Sequence, residues 1–304
     1  MNYIILDLEW NSAYSKRSQK FINEIVQIGA VKLNDKLEFV DDISIMVHSQ
    51  LTKRLSNRFK QLTNISNDQM LSGKYLPDAI KLYNSWVGDD VLTLTWSTSD
   101  LYAIAENCRL FADGAQFKIQ RYADLQGFVQ DYLHRNGHDF SGQISLKTAA
   151  EMLGLKTDGL ELHTARDDSL LSAKILRVAF DEARLSAVTK NASSPEFFKR
   201  LLFKPYNITS INDKAVDKDF LRFKCDKCAT YAKRKTKWVY KNHWFSATFK
   251  CEKCGNCFVG RLAFKKHYDC VVTKRLVLPV KKRGDEKWKN AAVADAPAVQ
   301  TEQN

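Results

Sequence analysis

The 304-residue sequence has no uncharged apolar run approaching the roughly 18 residues that cross a bilayer, which excludes a helical membrane span. It also lacks a basic N-terminal region. The apolar stretch in MNYIILDLEW is short and is stopped by Asp7 and Glu9, so it reads as a buried strand and not a secretory signal, and the chain is expected to be cytoplasmic. No segment repeats, which sets aside solenoids and propellers. What remains is an ordinary balance of 44% hydrophobic and 27% charged residues, enough apolar material for a core and too much for wholesale disorder. At about 150 residues per domain, the length suggests two domains. With no export signal, the seven cysteines are expected in a reducing compartment, where metal ligation is favoured over disulfides.

Acidic charge is scarce in one part of the chain. Residues 1–185 carry 21 Lys+Arg against 24 Asp+Glu, a net of −3, whereas residues 186–304 carry 26 against 11, a net of +15. Six of the seven cysteines share that basic part. The asymmetry points to an anionic partner. The basic region lacks an amphipathic helix, which leaves nucleic acid ahead of a membrane surface. A solvated basic tail is the plain alternative.

Residues 1–185 alternate strand-like and helix-like stretches. Tyr3–Leu8, Ile25–Leu33, Ile43–Val47 and Val91–Trp96 read as strands. Leu101, Ile104 and Ala105 mark a helix after the fourth, and Ser145–Leu153 and Ser169–Ala183 have helical spacing. Such alternation indicates an α/β layered domain. Residues 186–221, with SSPEFF and KPYNITSIND, read as a linker. Residues 222–275 are aromatic, basic and cysteine-rich, and read as a separate module. Residues 276–304, which lose all apolar period after Pro279, read as a disordered tail.

Asp7 and Glu9 lie two apart on the first strand, so both project from one face, about 7 Å apart along the chain. Carboxylates so placed suit hard cations such as Mg²⁺ or Mn²⁺. Because the strand enters as YIIL, two ionised carboxylates at its buried end are costly unless paired or metal-bound. Asp100 follows VLTLTWSTS at the next strand-to-helix junction. It is either a further acidic ligand or a helix cap, for which Ser97, Thr98 and Ser99 compete. His163 and Asp168 in HTARDDS are about 140° apart on a helix and cannot share its face. They converge if His163 lies on the loop and Asp168 in the first helical turn. Alternatively, Asp167 and Asp168 merely complement the helix N-terminus.

In combination the motifs are far more specific. IILDLEW, WSTSD and HTARDD occur in the order of the DEDDh 3′–5′ exonuclease superfamily, which includes RNase T and the DNA polymerase III proofreading subunit. The sequence resembles that superfamily over residues 1–185, with further similarity in EIVQIGAVKL and in LTNIS at Leu62–Ser66. The WSTSD and ENC segments resemble its KapD-like branch and the eukaryotic small-RNA and histone-mRNA 3′ exonucleases. This resemblance implies an RNase H-like fold, a mixed five-stranded sheet flanked by helices. It implies that Asp7, Glu9, Asp100 and Asp168 hold two Mg²⁺ or Mn²⁺ ions, the His-x4-Asp spacing selecting Asp168 over Asp167. His163 would be the general base, since an imidazole titrates near neutral pH. The products would be 5′-mononucleotides from a single-stranded 3′ end, RNA ahead of DNA. Trp10 would contact the terminal nucleotide, or else be a core aromatic. A repair or proofreading DNA exonuclease and a non-catalytic binder that keeps the fold are the alternatives.

Cys225-x2-Cys228 and Cys251-x2-Cys254 are separated by 22 residues, the pattern of a ribbon-type structural zinc site with four thiolates. Between them KTKWVYKNHWFSATFK alternates like two strands of a hairpin, and Gly255 relaxes the turn of CEKCG. A ββα finger using Cys251, Cys254, His267 and Cys270 competes, but it orphans Cys225 and Cys228. Under the ribbon, Cys257 and Cys270 read as buried thiols. Basic and aromatic residues interleave here, and Lys235, Trp238 and Lys241 are candidate contacts to phosphates and unpaired bases. The alternative is that the aromatics form the small core such a module needs.

Overall fold

In β1 (Asn2–Ser15), Tyr3 and Ile5 face one way and Ile4, Leu6 and Leu8 the other, and all five are buried. A strand buried on both sides requires a covering layer on each. The fold, a computed structural model describing residues 1–157, 159 and 163–280, provides both layers. β2 (Lys20–Leu33) and β3 (Phe39–Met46) extend the sheet antiparallel to β1. Helices α1 (Asn57–Thr63), α2 (Asn67–Leu71) and α3 (Leu76–Val87) lead to β4 (Val91–Thr95), which runs parallel to β1. After α4 (Ser99–Phe111), β5 (Arg121–Asp124) adds parallel to β4. Then follow α5 (Leu125–Arg135), α6 (Leu146–Met152), α7 (Ala165–Ala179), α8 (Glu182–Val188), β6 (Lys190–Asn191) and α9 (Pro195–Leu202).

The strand order is β3-β2-β1-β4-β5-β6. The sheet is mixed α/β as expected, but it has six strands and not five. The sixth is a two-residue edge antiparallel to β5, too short to leave any period in the sequence. Ile4, Leu6 and Leu8 pack in a core with α3 and α4, while Tyr3 and Ile5 pack in a second core with α5, α6 and α7. The alternation that divides the cores also aims Asp7 and Glu9 toward the α7 side.

The chain divides into two compact units after Leu201. Residues 186–221, read as a linker, hold the end of α8, β6, α9, β7 (Tyr206–Asn207) and a 3₁₀ turn at Lys218–Leu221. The single helix expected over Ser169–Ala183 begins earlier, capped by Thr164, and breaks at the extended Phe180, after which Asp181 caps α8. The second unit continues with β8 (Lys233–Arg234), β9 (Val239–Lys241), β10 (Trp244–Lys250), β11 (Cys257–Lys266) and β12 (Val271–Pro279). β9 and β10 form the expected hairpin, turning on Asn242 and His243 with φ of 49° and 63°. Residues 276–279, placed in the tail by their sequence, complete β12, which pairs with β11 along its length. Residues 281–304, also read as tail, lie outside the described residues. Among the described residues no helix is long and apolar enough to cross a membrane.

Candidate active site

Four acidic groups from three distant segments meet where β1 passes the starts of α4 and α7. One carboxylate oxygen each from Asp7, Glu9 and Asp168 lie within 4.8 Å of one another. Asp100 joins from α4, where it is buried and its Oδ1 accepts the Leu8 N–H at 3.1 Å. It is not the helix cap: Thr98 holds that position without a side-chain cap bond. The chain turns into α4 at Ser97, in the left-handed region at φ 84°, and the Ser97 carbonyl accepts from Thr95 Oγ1 and from Tyr122 Oη, the latter at 3.1 Å. These buried partners hold a backbone conformation that serine alone disfavours, and so fix where Asp100 enters.

Asp168 is brought in by a close approach of backbone to backbone. Asp7 pairs with Gly29 of β2, and a Cβ on Gly29 would lie 2.2 Å from the carbonyl carbon of Ala165. Only a glycine lets the start of α7 touch the sheet there. Gln27 Oε1 accepts the Ala165 N–H at 3.2 Å, and Ser169 Oγ donates to the carbonyls of Ala165 at 2.8 Å and Gly29 at 3.2 Å. Gly29, Gln27 and Ser169 belong to no chemical motif in the sequence. The glycine inside the apolar strand EIVQIGAVKL was the available signal.

His163 lies on the loop before α7 with φ 72°, and its backbone N–H points to Asp168 Oδ1 at 3.4 Å. Asp167 turns away to Arg166 Nη1 at 3.0 Å, so Asp168 is the one that joins the cluster. Trp10 is half-buried and packs against the core on the α3/α4 face.

The electrostatics of this pocket are those of a cation site. Burial, then the fields of Asp100, Asp168 and Glu9, hold the Asp7 carboxyl well above the carboxylate range. Burial, followed by Asp168 and Asp100, pushes Glu9 up to about 8. Burial pushes Asp100 up to about 7 against the hydrogen bonds it accepts from its own backbone and from Leu8. Asp168 is raised by burial, opposed by the backbone and ring of His163. Among the described residues, no ion pair involves any of the four. Crowded, desolvated carboxylates without a basic partner keep their charge at neutral pH far more readily with a cation among them, and an all-oxygen donor set fits Mg²⁺ or Mn²⁺.

The second unit gathers sulfur instead. Cys225 and Cys254 Sγ are 3.6 Å apart, Cys228 and Cys251 3.4 Å, and Cys228 and Cys254 3.6 Å. Those separations are too long for a disulfide and suit thiolates around one tetrahedral ion with bonds of about 2.3 Å. The Thr230 N–H, its hydroxyl and Cys251 draw Cys228 down to about 6. Against a lowering bond from the Asn256 N–H, burial and the other three sulfurs push Cys254 up to about 12. Asn256 Nδ2 also donates to Cys225 Sγ at 3.5 Å. The finger alternative fails on distance: the ten residues of β11 put about 30 Å between Cys254 and the His267–Cys270 turn. Cys257 is exposed and Cys270 half-buried, so neither is the buried thiol expected.

Trp238, expected as a stacking surface, packs into this unit's core against Phe249 and Phe223, with ring centroids at 5.8 and 6.2 Å. A module this small needs its aromatics for burial. Lys235 and Lys241 are exposed.

These features belong to a known class. The sequence profile of the RNase T-type exonuclease family matches residues 4–176, more than half of the chain, and spans all five candidate residues of the first unit. The chain belongs to that family. No curated protein matches it. Among solved structures it is similar to cell-death related nuclease 4, with 20% identity and a TM-score of 0.48, covering 58% of this chain and 62% of that one. It is also similar to the nuclease domain of a DEDDh-family 3′ exonuclease bound to rAMP, with 23% identity and a TM-score of 0.47, covering 58% and 90%. Exonuclease I of E. coli with a dA16 oligonucleotide matches at 10% identity and a TM-score of 0.43, covering 82% and 54%. The chain thus spans about three fifths of the length of the first of these.

Proposed function

We propose that this chain is a metal-dependent 3′–5′ exonuclease that hydrolyses single-stranded nucleic acid, RNA ahead of DNA, to 5′-mononucleotides. The observation that carries the reading is the meeting of half-buried Asp7, Glu9 and Asp168, with buried Asp100 against Leu8, where among the described residues no basic side chain is paired to them. In this reading the four carboxylates hold two Mg²⁺ or Mn²⁺ ions, which when bound supply charge stabilisation at the attacking and leaving oxygens. His163, on the loop entering α7, takes the proton of the attacking water. The Leu8 N–H keeps Asp100 in one orientation, and the Gly29–Ala165 contact keeps Asp168 in reach of Asp7. Trp10 borders the terminal nucleotide from its half-buried position. The RNA preference is supported by the similarity of WSTSD and ENC to the RNA-directed branch.

Cys225, Cys228, Cys251 and Cys254 hold one structural zinc, and the basic unit built on it grips the substrate. Purified chain incubated with matched 3′-labelled and 5′-labelled RNA and DNA oligomers, with and without Mn²⁺, tests the whole reading. Shortening from the 3′ end of RNA that requires metal is expected. Faster loss of DNA would make the chain a DNA exonuclease, and intact oligomers with retained binding would make it a non-catalytic binder.

A further inference from the structure

One surface of the second unit is used neither for its core nor for its sulfur site. Strands β10 and β11 bury Phe245, Ala247, Phe249, Phe258, Leu262 and Phe264 on one side of the sheet. Alternation therefore puts Trp244, Arg261 and Lys265 on the other side. β9 and β12 lie at the flanks, where the register sets Lys241 beside Trp244 and Lys274 beside Ala263. The Arg261 guanidinium lies over the Trp244 ring at 4.8 Å from its centroid. Its Nε is buried and has no hydrogen-bond partner, whereas both side chains are only half-buried. Lys241, Lys265 and Lys274 are exposed around the pair.

The chemistry of this face is one-sided. Residues 239–250, 257–266 and 271–279, which make up the four strands, contain no Asp or Glu. A tryptophan platform stacked with an arginine, ringed by lysines without a carboxylate, has the ingredients that hold unpaired nucleobases and their phosphates together. Ala263 leaves the middle of the row low, between Trp244 on one strand and Lys274 on the next. Exposed Leu276, Leu278 and Val239 share this side of the sheet, but they lie on flat flanking strands with no apolar helix face to enter a bilayer, and the lysines between them favour a polyanion.

We infer that this open sheet face is a binding site for single-stranded nucleic acid, in which a base stacks on the Trp244–Arg261 pair while Lys241, Lys265 and Lys274 meet the phosphates. The inference rests on the nucleic-acid reading above. It moves the grip from Trp238, which packs against the core, to a surface on the opposite side of the sheet.

The test reads binding without turnover. The full chain carrying Asp7→Asn is titrated into a fluorescently labelled 12-nucleotide RNA, and zinc content is measured on every variant. Trp244→Ala and Arg261→Gln are each expected to weaken binding about tenfold, and Trp244→Phe to retain it, because stacking needs an aromatic face. Lys241→Ala with Lys274→Ala should lower the slope of log affinity against log salt by about 1.4. Unchanged affinity in Trp244→Ala or in Arg261→Gln with zinc retained overturns the inference. So does a loss that Trp244→Phe fails to restore, or binding confined to phosphatidylserine vesicles. A chain that holds RNA through Trp244 yet never cleaves it defeats the exonuclease reading alone. Cleavage with binding indifferent to Trp244 defeats this one alone.

Discussion

Both units collect four acidic side chains at one point, and they do so in opposite materials. In the first, carboxylates midway along β1 and at the starts of α4 and α7 are brought together by long-range packing. In the second, thiols meet because two short turns, each two residues wide, are held together by a hairpin sheet. Oxygen donors favour hard ions that exchange and keep room for substrate, whereas four sulfurs close around a soft ion that stays. The first cluster is backed by two large cores and is expected to stay folded whether or not cations bind. The second sits beside a small aromatic core, so an ion bound there would be part of what folds it.

That contrast can be broken by experiment. The largest effect is expected at the carboxylates: Asp7→Asn or Asp168→Asn should abolish cleavage while the melting temperature stays at or above that of the parent, since a mutual repulsion is removed. Normal turnover in either variant would end the two-ion assignment. Cys225→Ser should do the reverse, releasing zinc and unfolding the second unit, because structural zinc supplies roughly 10–16 kcal/mol in comparable small modules. Cys270→Ser should leave the metal content unaltered, and the two are compared by elemental analysis and circular dichroism.

His163→Ala is expected to slow cleavage by about 10² to 10⁴ at neutral pH, and a loss below tenfold would remove it as the base. Gly29→Ala forces a methyl into the Ala165 backbone and should cost about 1–3 kcal/mol of stability, with activity falling more than stability because Asp168 moves with α7. Denaturant melts of the variant beside its rate would separate the two effects.

The smallest effect is the pH dependence of the metal-free chain. Glu9 sits at about 8 when folded against an ordinary 4.5, so the unfolded chain releases the proton first and stability falls as pH rises across that window. Removing Mg²⁺ should therefore lower the melting temperature by about a few degrees at pH 8 and leave it unmoved at pH 5. Equal shifts at both values would show that the ions do not relieve this repulsion.

Much of this was legible in the sequence, for reasons that differ by feature. Asp7 and Glu9 announce themselves because a strand's two-residue period fixes which side chains share a face. The CxxC pairs do so because thiol chemistry tolerates few other uses. The hairpin beyond Trp10 was not legible: Asn11–Ser15 and Lys20–Asn23 mix polar and apolar residues without a long apolar run, and the turn between them has neither Gly nor Pro, Gln19 taking the positive φ instead. The break of the long helix at Phe180 and the two-residue β6 left no period to read. Trp238 looked as exposed as Trp244 from spacing alone, and only the packing of Phe223 and Phe249 told them apart.

Local chemistry, carried by residue type and spacing, determined which groups could act: the acidic pair on the first strand, the His-x4-Asp entry to a helix, the four paired cysteines and the basic excess at the C-terminal end. Tertiary structure decided which of them meet. Asp100 and Asp168 reach Asp7 across 93 and 161 residues of chain only because a glycine in β2 admits the start of α7 and a strained serine aims α4. Separations of that length are closed by the packing of whole elements, which no local pattern encodes.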